Sequence, residues 1–455
     1  MPMISNGGSS RSPTAWELAA GKRDPAHALA YKPYWWEALP DEPANLEKTV
    51  PRKCDVAIVG SGFTGLSAAL TLLRNGRQTV VFERDRVGYG ASTRNGGQIG
   101  SGNQKFRVKK LIALRGRKKA EDMLREGTRM LDYIATLIAD EGIDCHFRRC
   151  GRFRAAIRPE HYEAMARDMD DLKEVAGVES FMVPKSEQAS EIGSDVFFGG
   201  SVLPSDASLH PGLYHAGLLQ RVESAGGLVL DHNPVTSVSA KNGGFVVSTG
   251  RGSTFARNVI IATNGYTDGL VPELGRRIVS IGSAIVATDE LPETVFNKLL
   301  PKNRVYGNTN RVFYYFRGAP DARRILWGGR IGRLVRSASA AAFAHLARDM
   351  ISVFPELKDV AVTYAWDGKI GYTFDEVPHL GCAVSGVHYA LGYCGTGVSR
   401  ATYFGNKIAL QVLAKSDGRT SFDDLTFPTF PVHPLAKRAV PAVETWYRIR
   451  DAANI

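Results

Sequence analysis

Asp55-Val56-Ala57-Ile58-Val59-Gly60-Ser61-Gly62-Phe63-Thr64-Gly65 is the stretch on which the reading of this chain turns. The run up to Val59 is short, apolar and β-branched in character, as a buried parallel strand requires. Leu66, Ala69, Leu70 and Leu73 then recur at helical spacing until Asn75-Gly76, and Gln78-Thr79-Val80-Val81-Phe82 forms a second strand closed by Glu83. Strand, glycine turn, helix and strand follow one another at the length of a βαβ unit. Each glycine has a physical task there: Gly60 permits the sharp turn, Gly62 lets backbone N–H groups approach a pyrophosphate, and Gly65 lets helix and strand pack closely. Phe63 and Thr64 open the helix, whose unpaired amides and positive dipole end favour phosphate. Glu83 lies 23 positions past Gly60, placed to accept hydrogen bonds from an adenosine ribose and to disfavour an extra 2′-phosphate.

Downstream of Glu83-Arg84 comes Gly88-Tyr89-Gly90-Ala91-Ser92-Thr93-Arg94-Asn95-Gly96-Gly97-Gln98-Ile99. Simple NAD enzymes usually continue into another βα unit. A segment this small and rich in hydrogen-bonding groups suits a backbone wrapped around a longer cofactor, although glycine and serine alone also describe a surface turn.

The remaining chain bounds the architecture. A length of 455 residues exceeds one comfortable core, so two packed domains are expected. Lys and Arg outnumber Asp and Glu by 57 to 46, a surplus that can attract anions or nucleic acid but does not set the fold. The densest basic cluster, Arg107 to Lys119, interleaves with Leu111, Ile112, Leu114 and Ala120 at helical spacing. Without stacking aromatics it reads as a solvated helix face, so nucleic-acid contact is not the expectation. Five scattered cysteines make no disulfide framework, and Cys145 and Cys150 around His146 lack a second ligand pair, so no metal site is expected. No apolar run reaches membrane-spanning length and no secretory signal is visible, which makes a cytoplasmic location the simplest expectation.

Met1 to about Ser12 reads as disordered, and Ala30 to Arg52, with Tyr34, Trp35 and Trp36 among prolines, as an extended arm that docks by aromatic burial. Strand character recurs at Val202–Pro204, Leu228–Asp231, Phe245–Ser248, Asn258–Thr263, Ile278–Thr288, Arg311–Phe316 and Arg324–Trp327. Helical spacing recurs at Pro211–Ala225, Ala340–Phe354 and Ser399–Leu413. Strand-rich blocks between dinucleotide-fold segments imply an α/β protein with an inserted antiparallel-sheet domain. The expected division is an arm over 1–52, a discontinuous dinucleotide-binding domain over 53–140, 201–268 and 366–455, and a substrate domain over 141–200 and 269–365.

The fingerprint, the Ser92-Thr93-Arg94-Asn95-Gly96-Gly97-Gln98 loop, Ile260-Ile261-Ala262-Thr263-Asn264-Gly265-Tyr266, the stretch Trp366 to Gly381, and Gly392-Tyr393-Cys394-Gly395-Thr396-Gly397 stand in an order that resembles the D-amino-acid oxidase superfamily of flavoproteins. Within it the Arg-Asn-Gly-Gly-Gln form of the loop is most similar to γ-glutamylputrescine oxidase and its relatives. The resemblance covers residues 30 to 435 and implies FAD stretched through the dinucleotide domain beneath an antiparallel substrate domain. It places Ala91 to Gln98, Thr263 and Gly265 along the cofactor and the backbone of Val235 against the adenine. Gly395-Thr396-Gly397-Val398 would run past the isoalloxazine ring, with the helix from Ser399 aimed at the flavin pyrimidine carbonyl. Relatives with covalent flavin carry a cysteine where this chain has Ile370 or a histidine where it has Asn95, which implies non-covalent FAD. Sarcosine-oxidase-like members carry a carboxylate-anchoring lysine where this chain has Ser399, which favours an amine without an adjacent carboxylate.

Flavin oxidation of a C–N bond asks the protein for orientation, desolvation and electrostatics rather than for many acid–base groups. Tyr266, Tyr314, Tyr315, Tyr372 and Tyr393 fall in segments that the resemblance places near the flavin, and their faces can hold an amine cation. Arg330 and Lys369 could supply the positive charge that helps O₂ accept electrons. Tyr266 and Tyr372 join these two as candidate catalytic residues, and Tyr314 and Tyr393 are candidate substrate contacts. His210 and His379 read as structural. The expectation is an FAD-dependent amine oxidase taking a small-molecule amine and O₂ to imine, aldehyde and H₂O₂, with a γ-glutamylated polyamine as the specific candidate. The alternatives are an amino-acid or N-methyl-amino-acid oxidase, a dehydrogenase with another electron acceptor, and an RNA-modifying or nucleic-acid-binding flavoprotein.

Overall fold

A computed structural model describes residues 11–21, 28–40, 46–102, 106–332, 340–384 and 386–430, with scattered helical positions between 433 and 450. The disorder expected for Met1–Ser12 lies, except for Arg11 and Ser12, outside the described residues.

The strand Lys53–Val59 sits inside its sheet because both of its faces are apolar. Val56 and Ile58 pack with the helix-side core, while Cys54, Ala57 and Val59 enter a second core on the opposite face. It pairs in parallel with Gly252–Ile261 on one side and Thr79–Phe82 on the other. The sheet runs His379–Val384, Val387–Leu391, Gly252–Ile261, Lys53–Val59, Thr79–Phe82, Leu228–Leu230, with the hairpin Val235–Lys241 and Gly244–Thr249 leaving it at one end. Helices Phe63–Arg74 and Gly397–Val412 cross one another over it, so the glycine-rich turn and the Gly395-Thr396-Gly397 segment are brought together.

A second eight-stranded sheet runs Val362–Tyr372, Val279–Thr288, Ile325–Gly332, Tyr315–Gly318, Val305–Asn308, Arg152–Ala155, Gly200–Leu203, Phe181–Val183. Its pairings are antiparallel except that between Val305–Asn308 and Arg152–Ala155. One face buries Phe153, Tyr306, Phe316 and Trp327 with Phe354 of the following helical segment. The other face turns toward the dinucleotide sheet.

Two boundaries move relative to the sequence division. Gly200–Leu203 and Val362–Tyr372 both belong to the second sheet, because their hydrogen-bonding partners are Arg152–Ala155 and Val279–Thr288. The division at 201 and at 366 therefore cuts through strands of the second sheet. Two elements also shift. The basic cluster is two helices, Val108–Arg115 and Arg117–Asp140, broken at Gly116 with φ of +80°. The strand expected over Arg311–Phe316 is formed only over Tyr315–Gly318.

The N-terminal arm docks as expected, with Trp35 fully buried and Tyr34 nearly so. It also covers an edge. Val362 and Ala365 donate to the Pro13 and Ala30 carbonyls at 2.8 and 3.0 Å, so the exposed side of the outermost strand finds partners. No helix among the described residues is long and apolar enough to cross a membrane.

Candidate functional site

A single cleft of about 540 Å³ runs from the fingerprint turn, past the start of the Gly397–Val412 helix, to the face of the second sheet. Its first part is shaped by close backbone approach. A Cβ on Gly65 would stand 1.9 Å from the Gly60 carbonyl oxygen, and one on Gly62 would stand 2.9 Å from Ser92 Oγ. Gly60 itself has φ of +105°, which a side chain rarely tolerates. Gly62 begins the helix without a side-chain cap, and Ser61, Gly62, Phe63 and Thr64 line the cleft. Ser92 Oγ accepts from the Phe63 N–H at 2.9 Å, tying the glycine-rich loop to the helix start.

The Glu83 carboxylate accepts from the Ser61 N–H at 3.0 Å, from its hydroxyl at 2.7 Å and from the Asp85 N–H at 3.1 Å. That fixes it in the cleft beside Arg84, Pro234 and Val235. A dinucleotide diphosphate at the glycine-opened helix start, an acid for the ribose, and an open wall at Val235 fit these residues. FAD, when bound, supplies the two-electron acceptor for the reaction.

Three indoles hold the loop that would wrap the cofactor. Trp35 Nε1–H donates to Asn95 O at 2.8 Å, Trp36 Nε1–H to Thr93 Oγ1 at 2.8 Å, and Trp366 Nε1–H to Arg94 O at 2.9 Å. The Arg94 guanidinium lies 4.8 Å from the Trp36 ring and 4.4 Å from the Tyr89 ring, and also donates to Asp367 O. Inside the loop, Asn95 Nδ2 donates to Ala91 O and Ser92 O, while its Oδ1 accepts from the Gly97 N–H. Gly96 fits only without a side chain, since its Cβ would meet the Tyr315 ring at 2.9 Å. Gln98 spans both domains, donating to Phe316 O and accepting from Arg152.

At the far end, Gly395, Thr396, Gly397, Val398 and Ser399 line the cleft, and Thr396 opens the last helix without a side-chain cap. A helix N-terminus there stabilises negative charge that develops on a ring lying against it. Opposite stand Phe313, Tyr315, Arg330 and Tyr372. Arg330 donates to the Tyr372 hydroxyl at 2.7 Å, and that hydroxyl lies 3.6 Å from the point where Gly395 would carry a Cβ. Ser399, where a carboxylate-anchoring lysine would stand, gives its hydroxyl to Gly100 O at 2.8 Å.

The sequence candidates separate in space. Gly65 and Gly265 shape the cleft from behind rather than line it; a Cβ on Gly265 would meet Gly371 N at 2.9 Å. Gly97 likewise lies behind the loop, its carbonyl accepting from Arg317. Thr263 and Tyr266 line the cleft. Lys369 also lines it, but its amine stands 5.0 Å from the Tyr266 ring centre among Arg84, Asp268, Asp367 and Asp85, on the dinucleotide side. Burial lowers its pKa, with the Arg84 charge adding to the effect. Tyr393 presents its ring, while its hydroxyl donates to Ala390 O and pairs with Thr64 Oγ1 at 2.7 Å, linking the segment before the Gly397–Val412 helix to the Phe63–Arg74 helix. Tyr314 does not reach the cleft: its ring lies 4.7 Å from Trp327 on the far face of the sheet, and Tyr315 takes the near face. Arg152 and Arg154, which sequence reasoning did not single out, line the cleft at the second sheet.

Away from the cleft the remaining candidates have structural partners. His210 caps the helix Pro211–Ser224, accepting from the Leu213 N–H, and His379 pairs with Asp375. The basic cluster is laced by ion pairs, Lys109 to Asp171, Arg115 to Asp375, Arg117 to Glu174 and Lys118 to Asp122. Among the described residues no three His, Cys, Asp or Glu side chains stand together as a metal site.

One buried cleft residue makes acid stability testable. His215 Nε2–H donates to Ser61 O at 2.8 Å, and burial, reinforced by Arg86, pulls its pKa from 6.5 down to about 4. The folded state thus binds the neutral ring, and between those values the unfolded chain takes up more protons. Its contribution is full above pH 6.5, is lost as pH falls towards 4, and amounts to at most roughly 3 kcal/mol. His215→Gln keeps a donor for Ser61 and removes the titration. The thermal midpoint of the variant is expected to fall less steeply than that of the native chain over this window; parallel curves would show that other groups, such as His210, govern the loss.

The comparisons agree with this geometry. The family model described as FAD dependent oxidoreductase, DAO, matches residues 55–410. A probable oxidoreductase OrdL of Haemophilus influenzae is 30% identical over 387 residues, covering 82% of this chain and 86% of its own. Gamma-glutamylputrescine oxidoreductase of Escherichia coli is 28% identical over 406 residues, covering 88% and 94%. The crystal structure of glycine oxidase from Geobacillus kaustophilus superposes with a TM-score of 0.71 at 20% identity, covering 84% of this chain and 99% of its own, a likeness of fold. The match runs from the fingerprint strand into the helix that closes the cleft, and on that ground the chain belongs to the DAO family of FAD-dependent oxidoreductases.

Proposed function

We propose that the enzyme oxidises a primary or secondary amine to an imine, which water hydrolyses to an aldehyde and ammonia or a smaller amine, with O₂ leaving as H₂O₂. The observation that carries this reading is the composition of the substrate end. Phe313, Tyr315 and Tyr372 form an aromatic wall around Arg330, and the position of a carboxylate-anchoring lysine is filled by Ser399, whose hydroxyl is committed to Gly100. Aromatic faces attract an incoming ammonium, and a partly desolvated pocket then favours its neutral, reactive form. The likeness to gamma-glutamylputrescine oxidoreductase supports a γ-glutamylated polyamine as the specific substrate.

A panel of amines, N-methyl amino acids and amino acids tests the reading in two assays: anaerobic bleaching of the bound flavin, and peroxide release in air. An amine that bleaches the flavin and yields peroxide is the expected result. Bleaching by sarcosine, glycine or proline alone would replace the reading with amino-acid oxidation. Bleached flavin that persists in air would replace O₂ by another electron acceptor.

A further inference from the structure

The second sheet lays one row of residues across the floor of the cleft. Cross-strand register sets Arg154 opposite Gly307, Gly307 opposite Tyr315, and Tyr315 opposite Gly328. Partners in register point to one face, and Arg154, Gly307 and Tyr315 all line the cleft. Arg330 lies two residues beyond Gly328 and therefore on the same face, held by Tyr372. The strands bearing Arg154 and Arg330 are three steps apart, a lateral separation of roughly 14 Å.

The two arginines of the Arg152–Ala155 strand are treated differently. Arg152 is neutralised by Asp206 at 2.6 Å and bonded to Gln98 at 2.8 Å. The Arg154 guanidinium has no hydrogen bond and no carboxylate within ion-pairing distance among the described residues. The acid whose field it feels, Asp168, is spent on the Val108 N–H at 2.9 Å, and Arg152 and Arg107 add like charge. Arg154 is half-buried, and a partly desolvated charge is normally paired, because an unpaired one gives up part of its hydration without return. A cation left so on the wall of a ligand cleft is one that a ligand neutralises. Among the described residues a Cβ on Gly307 would meet only Tyr314 O, at 3.8 Å, which leaves a trough between Arg154 and Tyr315.

We propose that Arg154 binds a carboxylate at the end of the substrate remote from the C–N bond being oxidised, so that the enzyme selects extended amines with an anionic terminus over compact α-amino acids. The inference rests on the amine-oxidising reading and deepens it. The planar guanidinium matches a carboxylate by two parallel hydrogen bonds. An α-amino acid holds its nitrogen and carboxylate one carbon apart and cannot engage Arg154 while its C–N bond lies beside Tyr372. With both side chains leaning inward, the span asks for on the order of six to ten linear bonds.

The test uses the FAD-loaded enzyme, a series of ω-aminocarboxylates of increasing length, and their carboxamides. In the native enzyme the carboxylate is expected to be preferred by roughly 10–100-fold in kcat/KM at the longer lengths, and not at the length of glycine. Arg154→Gln collapses that ratio towards one, and Arg154→Lys restores part of it. Gly307→Val, at a backbone position without positive φ, closes the trough and penalises long substrates more than short ones. Adipate and pimelate titrations, followed by calorimetry and by perturbation of the flavin spectrum, are expected to show binding to the native protein that Arg154→Gln removes. Absence of a carboxylate preference at every length, or its survival in Arg154→Gln, overturns the proposal. If no amine bleaches the flavin, the amine-oxidising reading falls, and the dicarboxylate titrations still decide the anion site.

Discussion

Gly65→Ala is expected to give a chain that purifies without FAD and melts well below the native protein. The added Cβ would stand 1.9 Å from the Gly60 carbonyl oxygen and 3.3 Å from Ile58 Cγ2. A carbonyl oxygen cannot rotate away as a flexible side chain can, so the Phe63–Arg74 helix must back off the strand by roughly 1 Å or more, a misfit that costs about 1–3 kcal/mol and occasionally more. The helix start, where Ser61 to Thr64 line the cleft, moves with it, and the bonds that tie it to Glu83 and Ser92 are disturbed. Lost cofactor affinity then adds to the lost stability, because a ligand bound only to the native state stabilises it by mass action. Gly62→Ala is the informative neighbour. Its Cβ would meet Ser92 Oγ at 2.9 Å, and a serine side chain can turn aside at the expense of its bond from the Phe63 N–H. Thermal midpoints with and without added FAD, together with the visible spectrum of each purified variant, should rank native above Gly62→Ala above Gly65→Ala. A yellow Gly65→Ala protein with a native melting curve would remove the close-packing argument.

That region was legible because its constraints are local. Gly60, Gly62, Gly65 and Glu83 owe their identities to turn geometry and phosphate chemistry within one βαβ unit. The glycine-rich loop was legible by composition, but not the indoles that hold it, since Trp35 and Trp366 arrive from positions 60 and 272 residues away from their carbonyl partners. Composition marks a loop as close-fitting and says nothing about what closes on it.

The second-sheet end of the cleft was harder to read because its signal is alternation in short strands. In Arg152-Phe153-Arg154-Ala155, Phe153 and Ala155 face the core and both arginines face the cleft. The period of two is visible in the sequence, yet four residues are too few to separate a strand from a loop. Tyr314 and Tyr315 show the same limit. Which tyrosine faces the cleft depends on register with Gly328, and a shift of one residue exchanges the faces. The domain limits at 201 and 366 missed for a related reason: the hydrogen bonds that assign Gly200–Leu203 and Val362–Tyr372 to the second sheet are made to strands distant in sequence.

Arg330→Met is expected to lower peroxide production by roughly 10²–10³-fold, the range seen when one preorganised charge-stabilising donor is removed. The Arg330 guanidinium is held at 2.7 Å by the Tyr372 hydroxyl and stands 5.8 Å from the Phe313 ring centre, so it is fixed on the cleft wall and partly shielded from water. Tyr372 acts here by positioning. Tyr372→Phe removes one acceptor of the guanidinium without removing its charge, and a loss of about tenfold is expected, close to the worth of one charge-assisted hydrogen bond. Because the tyrosine works through the arginine, the double variant should be no slower than Arg330→Met alone; additive losses would give Tyr372 a separate role. Stopped-flow mixing divides the effect between the half-reactions. If Arg330 assists electron transfer to O₂, re-oxidation slows more than anaerobic bleaching; if it orients the amine, the order reverses. Lys369→Met supplies the comparison. Its amine stands over Tyr266 with Arg84 and Asp268 nearby, on the dinucleotide side, so its loss should cost far less than that of Arg330. A Lys369→Met enzyme that re-oxidises more slowly than Arg330→Met would move the O₂-facing charge from the second sheet to the cofactor side of the cleft.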